Sequence, residues 1–289
     1  MDNILAPRFT SPVAARKHLE ALRWPDGPEC PHCGLINATS TKGGREGLYQ
    51  CNSCREQFTV TVGTVFERSK VPLNKWLLCN HLLVSSKKGI SAHQIHRMLG
   101  VTYKTAWRML NLIRNQLMDE QDGEPLSGDV EVDETYHGGK PRAKAMRDRT
   151  ANIDKTKRAV VFGMVERGGR IRATHLPNAG GAGIKRQIGT HVLPYSMIFT
   201  DEWPTYKGLG KTYIGHRRIR HKDRIYVDGD VHTQTIEGFF GLMKNGIRGT
   251  YHAVSHKWLQ GYLNEYAWRY NRRHDRRAMF HSLILRAAL

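Results

Sequence analysis

Acidic residues are scarce in this chain. Over 289 residues, 26 Asp and Glu stand against 45 Lys and Arg, a formal net charge of +19. An excess of this size says nothing of fold, but it points to a polyanionic partner, and nucleic acid is the usual one. Also missing is any run of about 18 apolar residues, which excludes a helical membrane span. No basic amphipathic helix stands out, so the charge is not that of a lipid-surface binder. The opening MDNILAPRFTSP has no basic stretch ahead of an apolar core. The expectation is therefore no export signal and a cytoplasmic, DNA-associated protein. Cysteine is sparse as well, with five in all, which argues against a disulfide framework in an unexported chain. Hydrophobic content of 39% and charged content of 25% fit an ordinary folded protein, and the length suits two domains with a small third.

Four of the five cysteines fall in two pairs. Cys30 and Cys33, then Cys51 and Cys54, give C-x2-C-x17-C-x2-C. Each C-x2-C turn lets two sulfurs converge on one ion, and this spacing suits a four-thiolate zinc site. A redox dithiol or two structural pairs are the other readings of the motif. Four thiolates leave no open coordination position, so one structural Zn²⁺ is expected. LYQC and REQFTVTVGTVF read as short strands, which makes this a zinc ribbon. His32 reads as exposed between two ligands. Cys79, alone within WLLCNHLLV, reads as a buried core thiol.

From Pro72 the pattern turns helical. Ser91 is suited to cap AHQIHRML and Gly100 to end it. A second helix then opens near Thr102 or Tyr103, with Ala106, Met109, Leu110 and Ile113 on its apolar side. Helix, short turn and helix form a helix-turn-helix pattern, whose second member would present Tyr103, Lys104, Thr105 and Arg108 to DNA. An ordinary helical hairpin is the plainer alternative. The polar stretch MDEQDGEPLSGD reads as a boundary. The expected division is 1–70 for the N-terminal segment and ribbon, 71–118 for the helix-turn-helix, 119–128 for a linker and 129–289 for a catalytic domain.

In that last region the missing carboxylates reappear. DVEVDETYHGGK places Asp129, Glu131, Asp133 and Glu134 within six residues. Like charges so close repel, and burying them is costly unless a cation sits among them. The stretch alternates as a strand does. AVVFGMVERGGRIRATHLP reads as a hairpin, AGGAGIKRQIGTHVL as a helix, SMIFTDEWPTY as a strand ending at Asp201 and Glu202, and RIYVDGDVHTQTIEGFFGLMKNGI as strand into helix. These elements suggest a mixed sheet packed between helices. Asp133 and Asp201 are separated by 67 residues, and Asp201 and Glu237 by 35. Two strand ends and a helix start can bring Asp133, Asp201 and Glu237 to one sheet edge, where two Mg²⁺ or Mn²⁺ would neutralise them. Alternation sets Glu131 and Asp129 on the face of Asp133, as accessory or substitute ligands. Glu134 faces the other way, solvated or salt-bridged.

Taken together, CPHCG, YQCNSCREQFTVTVGTVF, VEVDETYHGG, FTDEWPTY, HTQTIEGFFGLMKNGIRGTYHAVS and YLNEYAWRYNRR resemble the zinc-ribbon insertion-sequence transposases. The resemblance runs from about Cys30 to Arg273. It implies a multidomain α/β protein whose C-terminal domain is a ribonuclease-H-like DDE domain, with Asp133, Asp201 and Glu237 as first, second and third acids. It implies a DNA transposase that binds the element's terminal inverted repeats, frees 3′-hydroxyls by hydrolysis and joins them to target DNA. It implies a homodimer or larger assembly on paired DNA ends. Members of the family vary at the third acid, so Gln234, one turn earlier, could share the metal edge.

Cations surround the acids. Residues 140–158 hold eight Lys and Arg, among them Lys140, Arg142 and Lys144. HRRIRHKDR adds Arg217 and Arg218, and Lys244 and Arg248 follow Glu237 by about two and three helical turns. All are candidates for gripping phosphates. His232 could orient a phosphate or water. Two rivals share parts of this pattern. One is a zinc-ribbon, helix-turn-helix regulator with an inactive C-terminal domain. The other is a ribonuclease-H-like nuclease that cuts without joining.

Overall fold

The computed structural model describes residues 3–41, 44–138, 158–219 and 230–288. They form two compact units, Met1–Met118 with His274–Leu289, and Asp119–Arg273.

The first unit opens with the short helix α1 (Pro7–Thr10) and α2 (Pro12–Arg23), the latter capped by Ser11. A small antiparallel sheet follows: β1 (Ala38–Ser40), β2 (Tyr49–Cys51) and β3 (Gln57–Phe58), in that order. Trp24 meets Tyr49 and Phe58 edge-on, which seats the ribbon on α2. The strand expected beyond Phe58 is a series of turns instead. The Arg23 guanidinium takes the Val60 and Val62 carbonyls at 2.7 and 2.6 Å, so these acceptors find a cation rather than a neighbouring strand.

Three helices come next: α3 (Leu73–Ser85), α4 (Ala92–Leu99) and α5 (Tyr103–Leu112). Ser91 and Gln94 form a reciprocal capping box at the start of α4, and Gly100 ends it in the left-handed region at φ 59°. Thr102 caps α5, accepting from the Thr105 N–H at 3.2 Å. Cys79 is fully buried and its thiol is pushed up to about 12 by burial.

The second unit holds a five-stranded sheet of β4 (Asp129–His137), β5 (Ala159–Glu166), β6 (Ile171–Leu176), β7 (Met197–Thr200) and β8 (Gly215–Arg218). The order is β6-β5-β4-β7-β8. β4, β5 and β6 pair antiparallel, while β7 joins β4 and β8 joins β7 in parallel, so the sheet is mixed as expected. Alternation along β4 and β5 divides the core. Val130, Val132, Phe162 and Met164 pack with Ile184 and Ile188 of α6 (Gly181–His191) on one face. Val161, Val165 and Ala173 pack on the other face with Ile236, Phe239 and Met243 of α7 (Gln234–Gly246) and Leu259, Leu263 and Tyr266 of α8 (His256–Asn271).

Three features differ from the sequence reading. Residues 119–128 are not a free linker. Arg172 holds the Glu120 and Glu124 carbonyls at 2.7 and 2.8 Å, and Leu126 is buried in the sheet's core. The closing helix α9 (Met279–Ala288) belongs to the first unit, where Phe280, Leu283 and Ile284 are buried and Phe280 packs edge-on against Phe9. The basic run at 216–218 is itself the strand β8, while the strand expected over RIYVDG lies outside the described residues.

Candidate active site

Two groups of side chains are candidates for chemistry, and each lies within one unit. In the ribbon, Cys30 pairs with Cys54 and Cys33 with Cys51, each at 3.6 Å between sulfurs. All four sulfurs lie within 4.8 Å of one another. Thiolates bound tetrahedrally at about 2.3 Å from zinc stand roughly 3.8 Å apart, so the donor set fits that ion without rearrangement. The Cys54 backbone N–H, foremost, holds the Cys51 thiol down to about 6. Among the described residues no other set of three or more such ligand atoms lies within 4.8 Å.

The expected acids lie about the sheet edge, though their ligand oxygens do not all fall within 4.8 Å of one another. Parallel pairing sets Glu131 of β4 opposite Phe199 of β7. Two residues further on, each strand delivers an aspartate: Asp133 within β4 and Asp201 just past the end of β7. Glu237 lies in the first turn of α7. Thr233 donates to its Oε1 at 2.8 Å, and the Trp203 N–H donates to Asp201 at 2.9 Å. Asp133 is pushed up to about 8, first by burial and then by the charges of Glu134, Asp201 and Glu237, against the Glu134 N–H at 2.8 Å. The neighbouring carboxylates hinder the ionisation of Asp133. A hard divalent cation among these oxygens would relieve that hindrance, and an all-oxygen set suits one.

Glu134 does face away from Asp133, but it is not solvated. Its carboxyl is raised mainly by burial, and the Tyr206 hydroxyl donates to Oε2 at 2.5 Å. Asp129 is exposed at the start of β4. Glu131 is fully buried and points at the start of α7 rather than at the acids. Oε2 accepts from the Thr235 and Ile236 N–H groups at 2.8 and 3.1 Å. Oε1 accepts from the Thr235 hydroxyl at 3.0 Å and from Arg167 Nε at 2.9 Å. His232 Nδ1 lies 3.1 Å from the same oxygen, so this histidine is engaged by Glu131.

The residues expected to contact DNA differ in their exposure. Tyr103, Lys104 and Arg108 are exposed on α5, with Tyr103 stacked on His93 at 4.4 Å, whereas Thr105 is half-buried and spends its N–H on the Thr102 cap. Arg217 and Arg218 are exposed neighbours on β8, so they point to opposite faces, and only Arg217 shares the face of Phe199. Lys244 is half-buried, bonded to the Thr135 hydroxyl and within the field of Asp133. Arg248 is exposed beyond the end of α7. Lys140, Arg142 and Lys144 lie outside the described residues.

Sequence reasoning passed over Gly163, which pairs with Asp133 across β4 and β5. A methyl group there would meet Ile236 Cδ1 at 2.6 Å and the Phe240 ring at 3.0 Å, so glycine lets α7 lie against the sheet at the level of the acids. A lone glycine inside the apolar run AVVFGMV is a signal of such close approach. Arg167 and Thr235 carried no comparable signal.

Comparison with known proteins adds the following. Residues 125–271 match the family described as the ISXO2-like transposase domain, and residues 11–57 match a transposase zinc-ribbon domain. An uncharacterized protein in transposable element ISH50 of Halobacterium salinarum is 28% identical over 273 residues, covering 90% of this chain and 91% of that one. A chain in the crystal structure of a pre-cleavage Mos1 transpososome aligns with 76% of this chain and 79% of its own, at 14% identity and a TM-score of 0.24, too loose an overlay to argue from. Among the described residues no helix is long and apolar enough to cross a membrane.

Proposed function

The chain belongs to the ISXO2-like transposase family, and on that premise we propose that it cuts and joins DNA at the edge formed by β4, β7 and α7. Asp133, Asp201 and Glu237 are the ligands that would hold two Mg²⁺ or Mn²⁺. Bound there, the cations would activate the attacking oxygen and stabilise the leaving oxygen of an in-line phosphoryl transfer. The rest falls to the protein. Thr233 holds the Glu237 carboxylate, and the Trp203 N–H holds that of Asp201. Lys244 places a positive charge beside Asp133, suited to a phosphate oxygen. Arg248 is free to meet the strand further out. No covalent intermediate is needed, so no nucleophilic side chain is assigned.

The element's terminal inverted repeats would be read by α5, with Lys104 and Arg108 toward the duplex. The four cysteines would hold one structural Zn²⁺ that keeps the ribbon folded. Pairing two DNA ends calls for a dimer or larger assembly. What supports this reading is the family match together with the parallel pairing of β4 and β7, which sets Asp133 and Asp201 at one level of adjacent strands.

The test uses DNA flanking the gene, with a plasmid target, in Mg²⁺ or without it. We expect nicks that leave 3′-hydroxyls, then joined products, both abolished in Asp201→Asn and Glu237→Gln while DNA binding persists. Loss in Asp201→Asn but not in Glu237→Gln would pass the third position to Gln234 or another residue. Binding at the flanks without cutting in any divalent metal would favour a regulator.

A further inference from the structure

We infer that Glu131 and Arg167 form a positioning node that sets the spacing of the three acids. The inference rests on the assignment of Asp133, Asp201 and Glu237 above. Each acid lies two residues beyond a residue of the node. Glu131 precedes Asp133 in β4, Phe199 precedes Asp201 at the end of β7, and Thr235 precedes Glu237 in α7. Glu131 and Phe199 are register partners. Thr235 reaches Glu131 through both its N–H and its hydroxyl. The node is thus a floor one strand repeat below the acids.

Arg167 closes the node from the β5–β6 turn. Its Nε donates to Glu131, its guanidinium lies 3.9 Å above the Phe199 ring, and its two remaining nitrogens hold the Asp230 and His232 carbonyls at 2.7 and 3.0 Å. One side chain therefore grips β4, β7 and the segment that enters α7. Glu131 also faces the positive end of that helix, the favourable site for a carboxylate. The ion pair is fully buried on the Glu131 side. Its groups are satisfied from several directions, which is the condition under which such a pair fixes geometry. A ligand displaced by about 1 Å can cost roughly 10²-fold in rate, and loss of groups that orient metal ligands typically costs about 10–100-fold in affinity or activity.

The experiment compares Glu131→Gln and Arg167→Lys in the full chain with Arg170→Ala. Arg170 lies in the same turn and pairs instead with Glu124 and Glu166. Lysine keeps the charge of Arg167 but not the fork that holds three acceptors. Three readouts are taken: hydrogen exchange at the Thr235 and Ile236 amides, Mn²⁺ binding by electron paramagnetic resonance, and single-turnover cleavage of the flanking DNA. Both node variants are expected to bind DNA normally, exchange faster at these amides, hold Mn²⁺ about tenfold more weakly and cleave 10–100-fold more slowly. Arg170→Ala should match the wild type in all three. Faster exchange with wild-type cleavage and Mn²⁺ affinity would make the node merely structural and overturn the inference. Wild-type cleavage by Asp133→Asn and Glu237→Gln would instead overturn the assignment of the acids. Should Glu131→Gln fail to fold, Arg167→Lys and Thr235→Ala, which each leave the Glu131 carboxylate in place, are judged by the same criteria.

Discussion

Replacing Asp133 by asparagine should make the metal-free protein more stable at neutral pH, although the same change should end its activity. The folded chain raises this carboxyl from its ordinary 3.8 to about 8. A raised value means that the fold prefers the protonated form. The contribution is fully present below about pH 4 and is lost as pH rises through 8. Each tenfold change in proton affinity is worth about 1.4 kcal/mol, which at pH 7 gives an upper figure of ~4 kcal/mol. The carboxyl is partly open to water, and screening brings the expected cost down to ~2–4 kcal/mol. Asparagine has the shape of the protonated acid and keeps an oxygen for the Glu134 N–H, but it carries no charge. In thermal melts without added Mg²⁺ or Mn²⁺, and without a chelator that would strip the ribbon, Asp133→Asn should melt roughly 5–10 °C above the wild type at pH 7–8. The gap should close near pH 4, and Mg²⁺ should raise the wild type but not the variant. An equal gap at both pH values, or a variant less stable at pH 8, would refute the electrostatic argument.

Other consequences are equally direct. Gly163→Ala should destabilise the second unit by about 1–3 kcal/mol in urea melts, because the new methyl group overpacks Ile236 and Phe240, and it should slow cleavage by moving α7. Cys30→Ser should lower bound zinc from one per chain to near none by atomic absorption and expose the ribbon to limited proteolysis. Arg108→Ala should weaken binding to the flanking DNA, and if Arg108 neutralises one phosphate, the slope of log K against log salt should fall by about 0.9.

Much of the fold was legible because its signals are local. Cysteine spacing delivered a ribbon with four converging sulfurs, the cap residues Ser91 and Gly100 marked α4, and α5 opens at Tyr103, one of the two starts expected. Alternation in DVEVDETYH placed Glu131 and Asp133 on one face. The sequence could not say that Glu131 turns its charge to a helix start 104 residues away, since that partner is fixed only once α7 docks. TVTVGTVF failed as a strand for a similar reason, since Arg23, 37 residues earlier, claims its carbonyls. The basic run at 216–218 read as a phosphate-gripping stretch ahead of a strand. It became β8 because the β7 edge offered it a parallel partner, which composition does not reveal.

The placement of α9 bears on the order in which the molecule assembles. On the ribosome, the residues of α1 to α5 emerge first, but the helix that completes their core follows the whole of Asp119–Arg273. Until then, the surfaces of Phe9 and His81 that meet Phe280 stay open. The intervening unit ties its own ends together, with Arg272 on Glu120 and Asn271 beside it at 3.3 Å. Once folded, it replaces a long floppy loop with a short, fixed gap, and the entropy of bringing α9 home falls accordingly. A second unit that misfolds would leave the first unfinished, so a first unit built without a sound partner would be marked for clearance by its exposed core.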